Sequence, residues 1–311
     1  MQANTSPINM KRSKFNDSSL RYKNKKAILG ICFILPALIL IFVFLILPAI
    51  LAATYSLQNY NMLKPGQRTF VGLNNFKLIL ADKTFYKALW NTFYFTIIVV
   101  PLQSGVALLL AILVNKKIKT SNFARIAFFS PVITSIVVVS ILWTILYNKD
   151  SGLINGILQM FGIARQPFLL SEHQAMNSII GMSVWQAAGF QMMIFLAGLQ
   201  DVPEELYEAA SIDGANAWVK FKNVTLPGIS NVSKFIILIT TIQAFKLFSQ
   251  PYVMTGGGPN ESTKTLVYMI FEQGFQYRNV GYSSAMAVIF FFIILAVSVI
   301  MQKFLLKEKE N

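Results

Sequence analysis

Long uncharged runs dominate the hydropathy pattern of this chain. Six stretches, 27–53, 92–114, 126–147, 178–199, 233–248 and 285–304, read as membrane-crossing helices. Each approaches the roughly 20 apolar residues that a hydrocarbon core of about 30 Å demands. The fifth is the weakest, being short and interrupted by Lys246. Pro36, Pro48, Pro101 and Pro131 lie in or at the edges of these runs. Membrane helices tolerate proline there because neighbouring helices satisfy the freed carbonyls. The first run has no small-residue cleavage site and is too long for the apolar part of a signal peptide, so it reads as a retained span. The pattern predicts an all-α integral membrane protein with six transmembrane helices.

Composition sharpens this picture. Of 311 residues, 55% are hydrophobic and only 13% charged, where a soluble domain carries about a quarter charged. One cysteine, Cys32, and one histidine, His173, exclude a disulfide framework and a His/Cys metal cluster by count alone. The formal charge of +14 follows membrane topology. With the amino terminus inside, 17 of the 27 Lys and Arg fall on the cytoplasmic side and nine on the outer side. That bias predicts both termini cytoplasmic in a multi-pass protein of the cell membrane. Residues 1–26 read as a basic cytoplasmic tail against anionic headgroups, each charge contributing about 1 kcal/mol. Residues 27–311 read as one membrane domain. No nucleic-acid partner is needed to explain the charge.

One segment is not explained by the bilayer. Between the fourth and fifth spans, residues 201–227 form a predicted cytoplasmic loop with five acidic residues: Asp201, Glu204, Glu205, Glu208 and Asp213. Asp201 is expected to cap a helix whose first turn holds Pro203, with Glu204 and Glu205 complementing the dipole. Leu206, Ala209 and Ala210 recur at helical spacing and leave a small-residue surface that another protein can approach. Gly214 is expected to end that helix in the left-handed conformation. A second amphipathic turn over 218–224 precedes Leu226 and Pro227. The plain reading is a solvated connector; the sharper one is a docking helix for a soluble partner.

The sequence Glu208-Ala209-Ala210, with Asp213-Gly214-Ala215 and the later Leu226-Pro227, resembles the EAA loop of binding-protein-dependent ABC importer permeases, in the MalF-type, MetI-like sugar-transport branch. The likeness extends along the chain. Phe70-Val71-Gly72-Leu73-Asn74-Asn75-Phe76 resembles an external segment of that family, Asn91-Thr92 the start of its second helix, and Thr255-Gly256-Gly257-Gly258-Pro259 its turn after the fifth. The first external loop, 58–91, departs from the family's enteric maltose member in lacking a large insertion. The resemblance implies a type I ABC importer permease fold. It also implies a second, MalG-type permease subunit, a dimer of cytoplasmic ABC ATPases and an extracellular solute-binding protein that delivers a carbohydrate. ATP and Mg would be bound by the ATPases, with no cofactor in this chain. Glu205, Glu208, Ala209, Ala210, Asp213, Gly214, Ala215, Leu226 and Pro227 would form the ATPase-coupling surface.

Other signals are weaker. Residues 258–265 superficially resemble a P-loop, but no glycine precedes Lys264 and no βαβ pattern surrounds it. His173 reads as solvated, and Cys32 as a small packing residue. All 13 acidic residues lie in loops or tails, which argues against a proton-coupled carrier and a membrane-embedded hydrolase. For the substrate path, Trp185, Gln186 and Phe190 of span four combine aromatic faces with an amide. On span five, Thr240, Gln243, Ala244 and Leu247 share a face at i, i+3, i+4 and i+7. Amides and rings suit sugars, which offer hydroxyls at the edge and C–H groups on the face. Lys246 costs about 2.5–3.5 kcal/mol near mid-bilayer. It is expected either to snorkel outward, because the span ends nearby, or to line the path for an acidic saccharide or a glycerol-phosphate-type substrate.

Overall fold

The structure is a computed structural model that describes residues 29–64, 66–115 and 121–306. The predicted basic tail, and the lysines at 116, 117, 119, 307 and 309, lie outside the described residues. The chain divides into two compact units, with the boundary after Thr54. The described part of the first lies in helix α1 (Leu29–Tyr55), none of whose residues is buried. Its ladder slips by one residue over Phe42–Ile46, where the N–H of Leu47 bonds to the Phe42 carbonyl five residues back. Pro48 follows at once and has no N–H to give, so the irregularity sits where the helix ladder is already short of a donor.

The second unit is built on two long helices, α3 (Lys83–Val114) and α7 (Ala175–Gln200). Asp82 starts α3 by accepting from the Thr84 N–H at 2.8 Å. The helix therefore begins nine residues before the predicted span, its extra turns carrying Lys83 and Lys87. Phe95, Val99, Ile179, Met182 and Ala244 form one buried cluster, and Ala107, Ala111, Met192, Phe195 and Ile236 another. Hydroxyls within these helices fold back on their own backbone: Thr96 donates to the Thr92 carbonyl at 2.8 Å and Ser183 to that of Ile179 at 2.7 Å. Such bonds satisfy a polar group where no water is at hand.

Two of the six predicted spans are bent. Span three is α4 (Ser121–Ile133) followed by α5 (Ile136–Leu146), turned by 99°. Pro131 lies in the last turn of α4 and leaves the Ala127 carbonyl without its helix donor; the Ser130 hydroxyl supplies one at 3.0 Å. At Gly189 a Cβ would lie 2.1 Å from the Phe128 carbonyl oxygen, so only glycine lets α7 and α4 come this close. Span five is α9 (Ala217–Gly228) and α10 (Ser230–Phe245), turned by 68°. Among the described residues, four helices are long and apolar enough to cross a membrane unbroken, and six spans result when each bent pair counts as one. The sixth is α13 (Val280–Leu306).

Short elements surround these. The strand β1 (Gln58–Asn59) pairs antiparallel with β2 (Thr69–Phe70), and α2 (Asn74–Ala81) follows. The Asn75 amide donates to the carbonyls of Ser56 and Gln58, both at 2.9 Å, and so ties α2 to the first strand. Helix α6 (Leu153–Met160) and helix α8 (Glu204–Ile212) flank α7 along the chain. After α10 come α11 (Ser249–Met254) and α12 (Leu266–Phe271), packed through aromatic rings such as Phe248 and Phe271, 4.9 Å apart.

Candidate functional site

The site grows from a defect in span five. Helix α10 has 16 residues, a length of about 24 Å, and it stops at Phe245 short of a full crossing. Lys246 is its C-cap, and the chain resumes as helix only at Ser249. Irregular backbone at membrane depth is tolerated where it lines a cavity. Here it does. A cavity of about 210 Å³ opens beside the break, walled by α3, α5, α7, α10 and α11.

Six of the eight residues expected on the substrate path line this cavity: Gln186, Thr240, Gln243, Ala244, Lys246 and Leu247. They are joined by Gln103 from α3, Gln250 from α11, Ser183 and Phe95. The wall thus presents four carboxamides, two hydroxyls, one aromatic ring and one ammonium. The Gln186 amide donates to the Pro131 carbonyl at 3.4 Å, while the Gln191 amide, buried behind the wall, donates to the Thr240 hydroxyl. Trp185 and Phe190 do not line the cavity. Trp185 is 45% exposed and leans on Trp143 at 5.5 Å between centroids, and Phe190 is 43% exposed one turn further along. The helical angle explains Trp185, which sits about 100° around α7 from Gln186. Gln103 and Gln250 had a readable signal, as amides inside or beside apolar runs, but only the tertiary fold shows that they converge.

A second cavity of about 400 Å³ lies on the other side of α11, between Tyr147 and Lys149 on one side and the Thr255–Pro259 turn on the other. That turn is a left-handed corner, with Gly256 at φ +60° and Gly257 at φ +85°. It is held from below by Lys264, which bonds Glu261 at 3.2 Å and Glu272 at 3.0 Å. Burial alone would lower the pKa of the Lys264 ammonium; its bonds to Glu272 and Glu261 and their charges outweigh this and raise it. Asn91 donates to the carbonyls of Glu261 and Lys264, and Thr92 accepts from the Leu266 N–H at 3.0 Å. These motif residues therefore join α3 to the segment after α11. The lysine of the P-loop-like stretch is an ion-pair partner.

The loop between spans four and five is helical in two parts. Asp201 ends α7 as its C-cap; it does not start α8, whose N-cap position is Pro203. The physical reason is that Pro203 holds an extended ψ of 133° and breaks the chain's helical path. Glu204 and Glu205 fill the first turn as expected. Gly214, at φ +76°, closes the helix: its N–H bonds the Ser211 carbonyl, and the Ala215 N–H reaches back to that of Ala210 at 2.9 Å. No residue of α8 is buried, and Glu208, Ala209 and Asp213 are exposed. Leu226 and Pro227 continue the helix α9 and are exposed as well. Tyr207, unnoticed in the sequence, packs into the second core cluster and places its hydroxyl 3.0 Å from that of Thr225 in α9. The Lys220 ammonium donates to Ser211 at 2.6 Å. Together these bonds fasten α8 to the first half of span five.

The profile of the binding-protein-dependent transport system inner membrane component family matches residues 78–309. The chain belongs to that family. It is 36% identical over 300 residues to the arabinooligosaccharides transport system permease protein AraP of Bacillus subtilis, covering 96% of this chain and 93% of that one. It is 32% identical over 291 residues to the sn-glycerol-3-phosphate transport system permease protein UgpA of Agrobacterium fabrum, with 93% and 98% covered. Its fold is shared with a chain of a bacterial ABC transporter involved in the import of the acidic polysaccharide alginate, at a TM-score of 0.82 and 20% identity over 94% of this chain and all of that one. The protein is a multi-pass, all-α transport permease of the type I ABC importer fold.

Proposed function

We propose that this chain is the transmembrane permease subunit of an ATP-driven ABC importer that carries a sugar or oligosaccharide delivered by an extracellular solute-binding protein. The observation that carries the reading is the amide-rich wall beside the break in span five, found in a member of this family. Carboxamides and hydroxyls match the hydroxyl edge of a sugar, and Phe95 offers a face for its C–H groups. The wall covers one side of a path; a second, homologous permease subunit would supply the other.

The coupling surface would be α8 and its closing turn. Glu205, Glu208 and Asp213 offer charge, and Ala209, Ala210, Gly214 and Ala215 offer close approach, to a dimer of cytoplasmic ATPases that bind the ATP and Mg. Movement of α8 would pass through the Tyr207–Thr225 contact into α9 and on to α10. A near-complete flip between inward-open and outward-open states needs roughly 5.5 kcal/mol of differential binding, within reach of nucleotide turnover. This arrangement puts both termini in the cytoplasm, in line with the lysine and arginine distribution.

Affinity purification from mild detergent tests the assembly. An ATPase and a second permease should co-purify, and a cysteine placed at Ile212, 87% exposed, should react with a membrane-impermeant maleimide only after the cells are opened. Labelling of intact cells, or sugar uptake by a complex without ATPase, would overturn the reading.

A further inference from the structure

Lys246 is the one charged residue on the wall of the inner cavity. It sits at the C-cap of α10, flanked by Gln243 three residues before and Gln250 four residues after, both on the same wall. No carboxylate lines that cavity. Among the described residues the Lys246 side chain takes part in no hydrogen bond and no ion pair; only its backbone N–H is engaged, with the Gln243 carbonyl at 3.0 Å. The contrast with Lys264 is informative. That lysine, outside the membrane core, is held between Glu261 and Glu272. A cation at membrane depth is normally paired or directed at a functional partner, and the partner here is not supplied by this chain.

Lys246 is exposed at the helix end, and it also lies on the cavity wall, a placement that snorkelling toward the interface does not require. The helix ends at the residue before it, and the residue turns onto the cavity wall beside Thr240 and Gln243. Lys246 is exposed in this chain; cargo closing over it would strip water from the ammonium, a loss that a neutral sugar held by the four carboxamides would not offset. An anionic group on the cargo removes that loss and gains charge-assisted hydrogen bonds. The lysine ammonium is a compact donor with three protons, suited to either a carboxylate or a phosphate.

We infer that the carbohydrate carried by this permease bears a carboxylate or phosphate group, and that Lys246 is the residue that receives it. This rests on the sugar-importer reading and narrows it to anionic cargo. Gln243 and Gln250 flank the ammonium and would hold hydroxyls next to the charged group.

The test uses the complete transporter in proteoliposomes, with its own binding protein, and three labelled probes: a uronic acid trisaccharide, glycerol 3-phosphate and a neutral arabinotriose. An anionic probe is expected to be the one accumulated, the uronate pointing to a carboxylate and the ester to a phosphate. Lys246→Gln should lower its uptake about tenfold or more, the loss of a charged hydrogen bond. Lys246→Arg should stay within a fewfold of the native protein, with equal ATPase co-purification confirming assembly of both variants. Accumulation of the neutral probe alone, or native-level uptake of the anion by Lys246→Gln, overturns the inference and leaves the sugar importer standing. ATP hydrolysis with none of the three accumulated overturns the sugar reading itself.

Discussion

The hydroxyls of Tyr207 and Thr225 lie 3.0 Å apart and bind the exposed helix α8 to α9, the first half of the bent pair α9–α10. Both ends of this contact are anchored, since Tyr207 packs into a core cluster and Thr225 is buried. Tyr207→Phe keeps the ring and removes the bond, which contributes about 0.5–1.5 kcal/mol. The expected result is an assembled complex whose ATPase still turns over but which moves two- to tenfold less cargo per ATP, in line with that energy. Parallel measurement of phosphate release and uptake reads the ratio directly.

Glu208 is exposed on α8 and makes no contact that the fold needs. Glu208→Lys should therefore leave the amount of protein in the membrane unchanged and abolish uptake, by reversing the charge offered to the ATPase. Quantitative immunoblotting of membranes beside a transport assay checks both halves. Native transport by this variant would remove the coupling role.

Gly189 is where α7 meets the backbone of α4. A methyl there would fall 2.1 Å from the Phe128 carbonyl oxygen, so Gly189→Ala must push two helices apart at a cost of about 1–3 kcal/mol. Gly105, in α3, has open space around its Cβ position, and Gly105→Ala should be neutral or slightly stabilising, by about 0.5–1 kcal/mol. Thermal unfolding in detergent should separate the two variants by several degrees.

The Lys264 network makes a pH prediction. Its folded-state pKa is raised above the ordinary 10.5, so its contribution to stability is fully present below pH 10.5 and is lost as pH rises through the higher folded value. Lys264→Met should thus melt below the native protein by a constant margin across neutral pH. That margin should shrink only in strong alkali. A margin that vanished already between pH 7 and 9 would contradict the assignment.

Six membrane-spanning segments were legible because a bilayer imposes one crude requirement, length of uncharged sequence, and a linear pattern records it. The breaks were not. Pro131 sits in α4, yet proline alone does not distinguish a kink from the 99° turn at Thr134 and Ser135. In the candidate site, Thr240, Gln243 and Ala244 of the span-five stripe share the wall as helical spacing predicts, while Leu247 reaches the same wall from the break beyond the end of α10. The span-four set divided: Gln186 turned inward and Trp185 outward, a difference of one residue that hydropathy cannot resolve in a helix apolar all round. Gln103 and Gln250 belong to other segments, and only tertiary packing brings them to the same wall. Asp201 was misplaced by a similar ambiguity, an acidic residue between two helices that could serve either end.

The gap between Phe245 and Ser249 separates α10 from α11. An unbroken rod displaced at one end would carry that displacement along its whole length. Here α10, bearing Thr240 and Gln243, follows the bend from α9, which Tyr207 fastens to α8, whereas Leu247 is pinned through its carbonyl to the Thr265 hydroxyl at 2.6 Å. A displacement of α10 is therefore taken up at this joint on the cavity wall, while the bond from Thr265 keeps Leu247 in place.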